Sequence, residues 1–269
     1  MTLTRVPRPH YTRTPMIGSA RLNALFAASA CALLTGCPSF ATLKTARAVD
    51  PGQLQVTEAT EVLGMTAPAG KGLGGARPGI IVTGRYGVAE GFDVGFRVEP
   101  VAGVSGDTTI QLVRGKVMDL ALGPGAGYFQ TPGPISYAPR SIEVLSDEPI
   151  YTIWSTTLPL LVGFNFGAGH QVVVAPRATW YFVQPGNAGG QSRPGGVQTF
   201  LGGSFGISFK TSQTLRVMPE IDVTAPVNWS GRGDAICTPG QGDCSPFSEH
   251  ALIIQGGLAF TVGADNLGP

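Results

Sequence analysis

The sequence predicts an antiparallel up-and-down transmembrane β-barrel of about ten strands, preceded by a cleaved export segment. Three observations carry that prediction: a period of two in hydropathy, no long apolar run beyond the N-terminus, and connections that fall into a long set and a short set. The stretch from Gly79 to Gly103 shows the period most clearly. Phe92, Val94, Phe96 and Val98 fall on one side, and Asp93, Gly95, Arg97 and Glu99 on the other, because successive strand side chains face opposite ways. Just before them, Ile80, Val82, Tyr86 and Val88 oppose Thr83, Arg85 and Gly87, and Ala89-Glu90-Gly91 leaves room only for a tight hairpin. One apolar face and one charged, glycine-rich face suit a strand between lipid and a narrow polar interior. With no later run near the ~18 apolar residues of a spanning helix, any crossing after the N-terminus must be made by strands.

Composition bounds the rest. The 269 residues include 39 Gly and 22 Pro, and only 13% are charged. That is length for one sizeable domain, and the low charge excludes a disordered or nucleic-acid-binding chain. Removing Arg5, Arg8, Arg13 and Arg21 with an export segment takes the 18 basic residues to 14 against 17 acidic, a net charge of −3. No basic cluster then remains for phosphate.

The N-terminus reads as an address. From Arg21 a basic residue is followed by a short apolar run and then small residues, a secretory signal too short to anchor in a membrane. Met16 is a plausible true start. Leu34-Thr35-Gly36-Cys37 resembles a bacterial lipobox, which implies cleavage before Cys37, lipidation of its thiol and hence palmitate. Pro38 stands where lipoproteins retained at the inner membrane carry Asp, so the resemblance implies the outer membrane. The expected organisation is a signal peptide over 1–36, a lipidated tether over 37–51 and a β-barrel domain over 52–269. Cys31 leaves with the signal, and Cys237 and Cys244, with six residues between them, are expected to close a disulfide loop in an oxidising compartment. Two thiols with only His250 nearby fall short of a zinc set, so no metal or cofactor is expected.

In chain order, strands are expected over Gln53–Leu63, then the hairpin within Gly79–Gly103, Asp107–Val113, Lys116–Gly127, and a strand ending at Phe166 that starts between Pro149 and Ser155. His170–Val183, Val197–Lys210, Thr214–Val227 and Ala251–Gly263 complete the ten. Gly64–Pro78 is expected as a loop; its Gly-Lys-Gly lacks the Ser/Thr and the following helix of a phosphate loop. The connections 128–148, 184–196 and 228–249 are also long, those between are a few residues each, and the third connection alone breaks the trend. Short turns at one end and long loops at the other are usual for membrane barrels, and an even strand count returns both strand ends to the periplasm.

Several pieces resemble a group of poorly characterised outer-membrane β-barrel lipoproteins of Gram-negative bacteria: the lipobox, Lys44-Thr-Ala-Arg47 behind it, Arg85-Tyr-Gly-Val-Ala-Glu-Gly-Phe-Asp-Val-Gly95, and Asp119-Leu-Ala-Leu-Gly-Pro-Gly125. Gln255, Gly257, Phe260 and Val262 resemble the terminal signal read by the barrel assembly machinery, although the chain runs on to Pro269. The resemblance implies outer-membrane lipid and that machinery as partners, and no catalytic residues.

Inward positions carry Arg85, Arg97, Arg177, Lys210 and Arg216 against Asp93, Glu99, Asp119, Glu220 and Asp222. Five of each sign suggest a lumen cross-linked by mutual neutralisation; a selectivity lining needs a surplus of one sign. Ser248 and His250 stand two residues apart, farther than a nucleophile and its base require, so no enzyme is expected. Arg232-Gly233-Asp234 matches an adhesion tripeptide but also reads as a glycine turn. The expectation is a barrel in a structural or minor-pore role; a lipid-tethered soluble cup for a hydrophobic ligand and a surface adhesin are the alternatives.

Overall fold

The structure, a computed structural model, describes residues 39–66, 73–99, 103–132, 150–185, 196–231 and 252–263, all within one unit. Its strands are β1 (Leu54–Thr66), β2 (Leu73–Ala89), β3 (Phe92–Glu99), β4 (Gly103–Arg114), β5 (Met118–Leu122), β6 (Gly125–Pro132), β7 (Ile150–Phe166), β8 (His170–Pro185), β9 (Gly196–Lys210), β10 (Leu215–Gly231) and β11 (Ile253–Gly263). Every ladder is antiparallel, β1 pairs with β11, and the β3–β4 pairing joins the remaining edges, so the sheet closes. Both β5 and β6 pair with β4 on one side and β7 on the other, so they share one position and the barrel has ten staves.

The break inside that stave has a local cause. Pro124 has no N–H to give to a ladder, and its carbonyl instead accepts from Thr108 N while Gly123 N donates to Pro159 O. Beyond the break the stave runs on to Pro132, past the Gly127 limit expected from the sequence. The expected loop over 64–78 shrinks likewise to 67–72, because Gly74 pairs with Met65 across a bulge and extends β1 and β2. Glycine-rich sequence is poor strand former by propensity, but closure of the sheet supplies partners that override it.

Hydropathy is inverted relative to a soluble barrel. Phe96 is 56% exposed on the outer face, along with Leu201, Phe205, Ile221 and Phe260, while Glu220 is 6% exposed inside with Arg85, Asp93, Asp119 and Asp222. An outer surface this apolar is stable only against hydrocarbon, and the barrel is a transmembrane one. The turns at 90–91, 115–117, 167–169 and 211–214 lie at one end, together with the start of β1 and the end of β11. The ends of β1, β3, β6, β8 and β10 and the starts of β2, β4, β7, β9 and β11 lie at the other end, the long-loop end after the lengths of sequence between them.

The largest departure from expectation concerns the stretch read as a tether. Residues 39–50 are not a spacer outside the domain; they run through the barrel, and Phe40, Ala41, Leu43, Ala46, Ala48 and Val49 are buried there. Asp50 meets Arg114 of β4 at the short-turn end, and Pro51 bridges to Gly87 of β2. The chain then turns into β1 at that same end.

Candidate functional site

The occupied lumen is the site the fold builds. An extended segment inside a barrel cannot pair with the walls as a strand, because their backbone groups are used within the sheet. Side chains must therefore satisfy it. Ser39 N donates to Glu99 Oε2 at 3.0 Å and Phe40 N to Gln255 Oε1 at 2.9 Å. One carboxylate takes the next two amides: Glu220 Oε1 accepts from Thr42 N at 2.6 Å and Oε2 from Leu43 N at 2.8 Å. Ala46 N donates to Gln171 Oε1, Ala48 N to Gln111 Oε1 and Val49 N to Asp93 Oδ2. Segment carbonyls are served as well, Phe40 O by Arg177 and Thr42 O by Arg97.

The inward charges thus divide their work. Arg85 bridges Asp93 and, at 2.5 Å, Asp107; Arg177 pairs with Asp222. Asp119 is engaged by the segment's Arg47 at 3.0 Å and also accepts from Asn165, Gln171 and Gly115 N. Lys44 reaches Asp107 at 3.5 Å. Glu99 and Glu220 serve backbone amides rather than cations, and Arg216 donates to Gly169 O and Ser208 Oγ. Lys210 is half-buried at the rim of β9, where its backbone N–H donates to His170 Nδ1. The five-against-five inventory omitted Lys44, Arg47 and Asp107, and the carboxamides of Gln111, Gln171 and Gln255. Buried carboxylates cost several kcal/mol each unless paired and hydrogen-bonded, and the segment supplies what the walls lack.

Apolar contacts complete the filling. In the long-loop half Phe40 stacks on Tyr181 at a centroid distance of 5.7 Å and tilts against Phe200 at 5.3 Å, with Phe129 edge-on to Tyr181. Lower down, Leu43 and Ala41 pack with Ile81, Val173, Met218 and Ala259, and Ala46 with Ala121, Leu161 and Ala175. Close approach explains particular glycines: a Cβ on Gly87 would lie 2.0 Å from Asp50 O, and one on Gly163 would lie 2.8 Å from the Ala46 Cβ. One opening that remains is a cavity of about 90 Å3 between the segment and β3, β4, β6, β7 and β8, with Lys44, Arg97, Glu99 and Asp107 on its lining.

Cys37, Cys237, Cys244, Ser248 and His250 lie outside the described residues. Among the described residues no group of three or more His, Cys, Asp or Glu side chains is placed to hold a metal ion.

No protein-family model matches this chain, and no curated protein does. Among solved structures it is similar to Ail, the attachment invasion locus protein of Yersinia pestis, solved with the heparin analogue sucrose octasulfate, at TM-score 0.40 and 9% identity over 79% of this chain and 99% of that one. It is similar to the translocator domain of the autotransporter NalP from Neisseria meningitidis at TM-score 0.41 and 15% identity, over 90% and 95% of the two chains. The outer membrane protease OmpT from Escherichia coli is matched at TM-score 0.37 and 8% identity, over 81% and 98%.

Proposed function

We propose that the chain is a lipid-anchored outer-membrane barrel in a structural role, closed by its own N-terminal segment rather than open as a pore. The observation that carries this reading is that luminal side chains accept from seven of the eleven amides of residues 39–49, from Ser39 on Glu99 to Val49 on Asp93. A water path of any width would need those partners to separate, leaving buried carboxylates and amides unpaired. A tethered soluble cup requires the opposite arrangement, with Phe96 and Phe205 inside and Glu220 outside; both phenylalanines face outward. Placement in the outer membrane rests on the transmembrane barrel together with the lipobox-like Leu34–Cys37.

One observation favours a second state. Side chains rather than a backbone ladder hold the segment, and a cavity already lies beside it, so loosening it would uncover a narrow conduit. Planar-bilayer recording of the refolded chain from Cys37 onward tests both. The intact chain is expected to be electrically silent, and Asp119→Ala with Glu220→Ala to give brief openings. Steady ion-sized steps from the intact chain would overturn the closed reading.

A further inference from the structure

The direction of the luminal segment fixes where the chain ahead of it emerges. Asp50 lies at the short-turn end, yet Ser39 lies in the long-loop half, with its N–H on Glu99 and its hydroxyl 2.7 Å from Glu61. The wall is lowest beside Ser39. Glu99 is the last residue of β3 and pairs with Gly103, the first of β4. On one flank β2, whose Val82 pairs with Val98, continues past this level to Leu73; on the other β6, whose Phe129 pairs with Gly103, continues to Pro132. The facing ends of β3 and β4, at Glu99 and Gly103, therefore form a notch in the rim. At 8 residues β3 falls short of the about 9–11 that cross a bilayer, so the notch stands no higher than the lipid interface. Phe96 and Val104 are exposed on the outer face just below it, and the luminal cavity reaches it through Ser39, Glu99 and Gly103.

From Ser39 back to Cys37 the chain reaches at most about 7 Å, too little to climb a full-height wall and enough to cross a low one. The geometry points to an N-terminus that leaves the lumen over the β3–β4 notch, so that acyl chains on Cys37 insert in the leaflet at the long-loop end. Under the outer-membrane reading on which this inference rests, that is the cell-surface leaflet. The lipid ligand is thus anchored on the opposite side from the one where β1 begins, and the segment crosses the whole membrane inside its own barrel.

Epitope insertions in the full-length chain, expressed in a Gram-negative host, test it. One insertion goes between Pro38 and Ser39, one within 232–250 and one within the turn 211–214, with heat-modifiable migration checking that each barrel forms. Antibody on intact cells is expected to bind the first two, and the third only after the outer membrane is permeabilised. Binding to the 232–250 epitope with the Pro38/Ser39 epitope hidden until permeabilisation overturns the exit through the notch and leaves the membrane reading standing. Concealment of the 232–250 epitope as well sinks that reading and this inference with it. Should the Pro38/Ser39 insertion not assemble, Pro38→Lys serves instead. Its N-terminal peptide is expected to carry the label of a membrane-impermeant amine reagent applied to intact cells, and an unlabelled peptide beside labelled surface lysines overturns the inference. Palmitate incorporation lost in Cys37→Ala confirms that the anchored group is the thiol's; incorporation that persists in this variant overturns the assignment.

Discussion

Glu220 concentrates the energetics of the lumen in one side chain, because both its oxygens accept from consecutive segment amides. Glu220→Ala leaves two buried N–H groups without partners, each worth about 1–3 kcal/mol. Urea unfolding in detergent is expected to show the loss, and Glu220→Gln, which keeps one acceptor, to show a smaller one. Asp222→Ala strands the Arg177 guanidinium and is expected to cost about 3–5 kcal/mol, whereas Arg177→Met with Asp222→Leu is expected to cost less than that single change. The alternation of hydropathy made the inward side of Arg85, Arg177, Glu220 and Asp222 legible. It could not reveal their partners, since Glu220 and Arg177 turn to a segment whose position no periodicity encodes. The alternation that set Leu201 outward leaves Phe200 on the inward side, where it is buried against Phe40 and Tyr181.

At the level of elements, boundaries erred where glycine and proline were taken as punctuation. Gly74 continues β2, and the stave expected to stop at Gly127 runs on to Pro132. A usable signal for the luminal segment was nevertheless present. Flexible tethers are rich in Gly, Ser and Pro, while residues 39–50 contain neither Gly nor Pro and carry Phe40, Leu43 and Val49 among alternating polar groups. That composition is of a chain with packing to do. Gly163 on β7 tests the fit between element and segment: a Cβ there would lie 2.5 Å from the Gln171 side chain as well as 2.8 Å from Ala46. Gly163→Val is therefore expected to displace the segment around Ala46, read as new protease cleavage after Arg47, while Gly84→Ala, with open space around its Cβ, is expected to leave digestion unchanged.

For the molecule as a whole, the inversion of inside and outside was the most readable feature, because it needs only the sign of each face and not its partners. It also sets the largest environmental effect. Ile221→Arg places a charge on the outer face in the middle of a crossing strand and is expected to destabilise the barrel by up to about 2–4 kcal/mol in lipid, with little change in the luminal contacts; refolding midpoints in vesicles check it. The seam where the cylinder shuts is the ladder between β1 and β11, the first and last staves to be synthesised. A chain lying along the axis, its main-chain amides gripped by Glu99, Glu220, Gln255 and Asp93, is what that seam encloses. Residues 39–50, made before any stave, therefore stand to the later ones as a mandrel does to the tube wound around it.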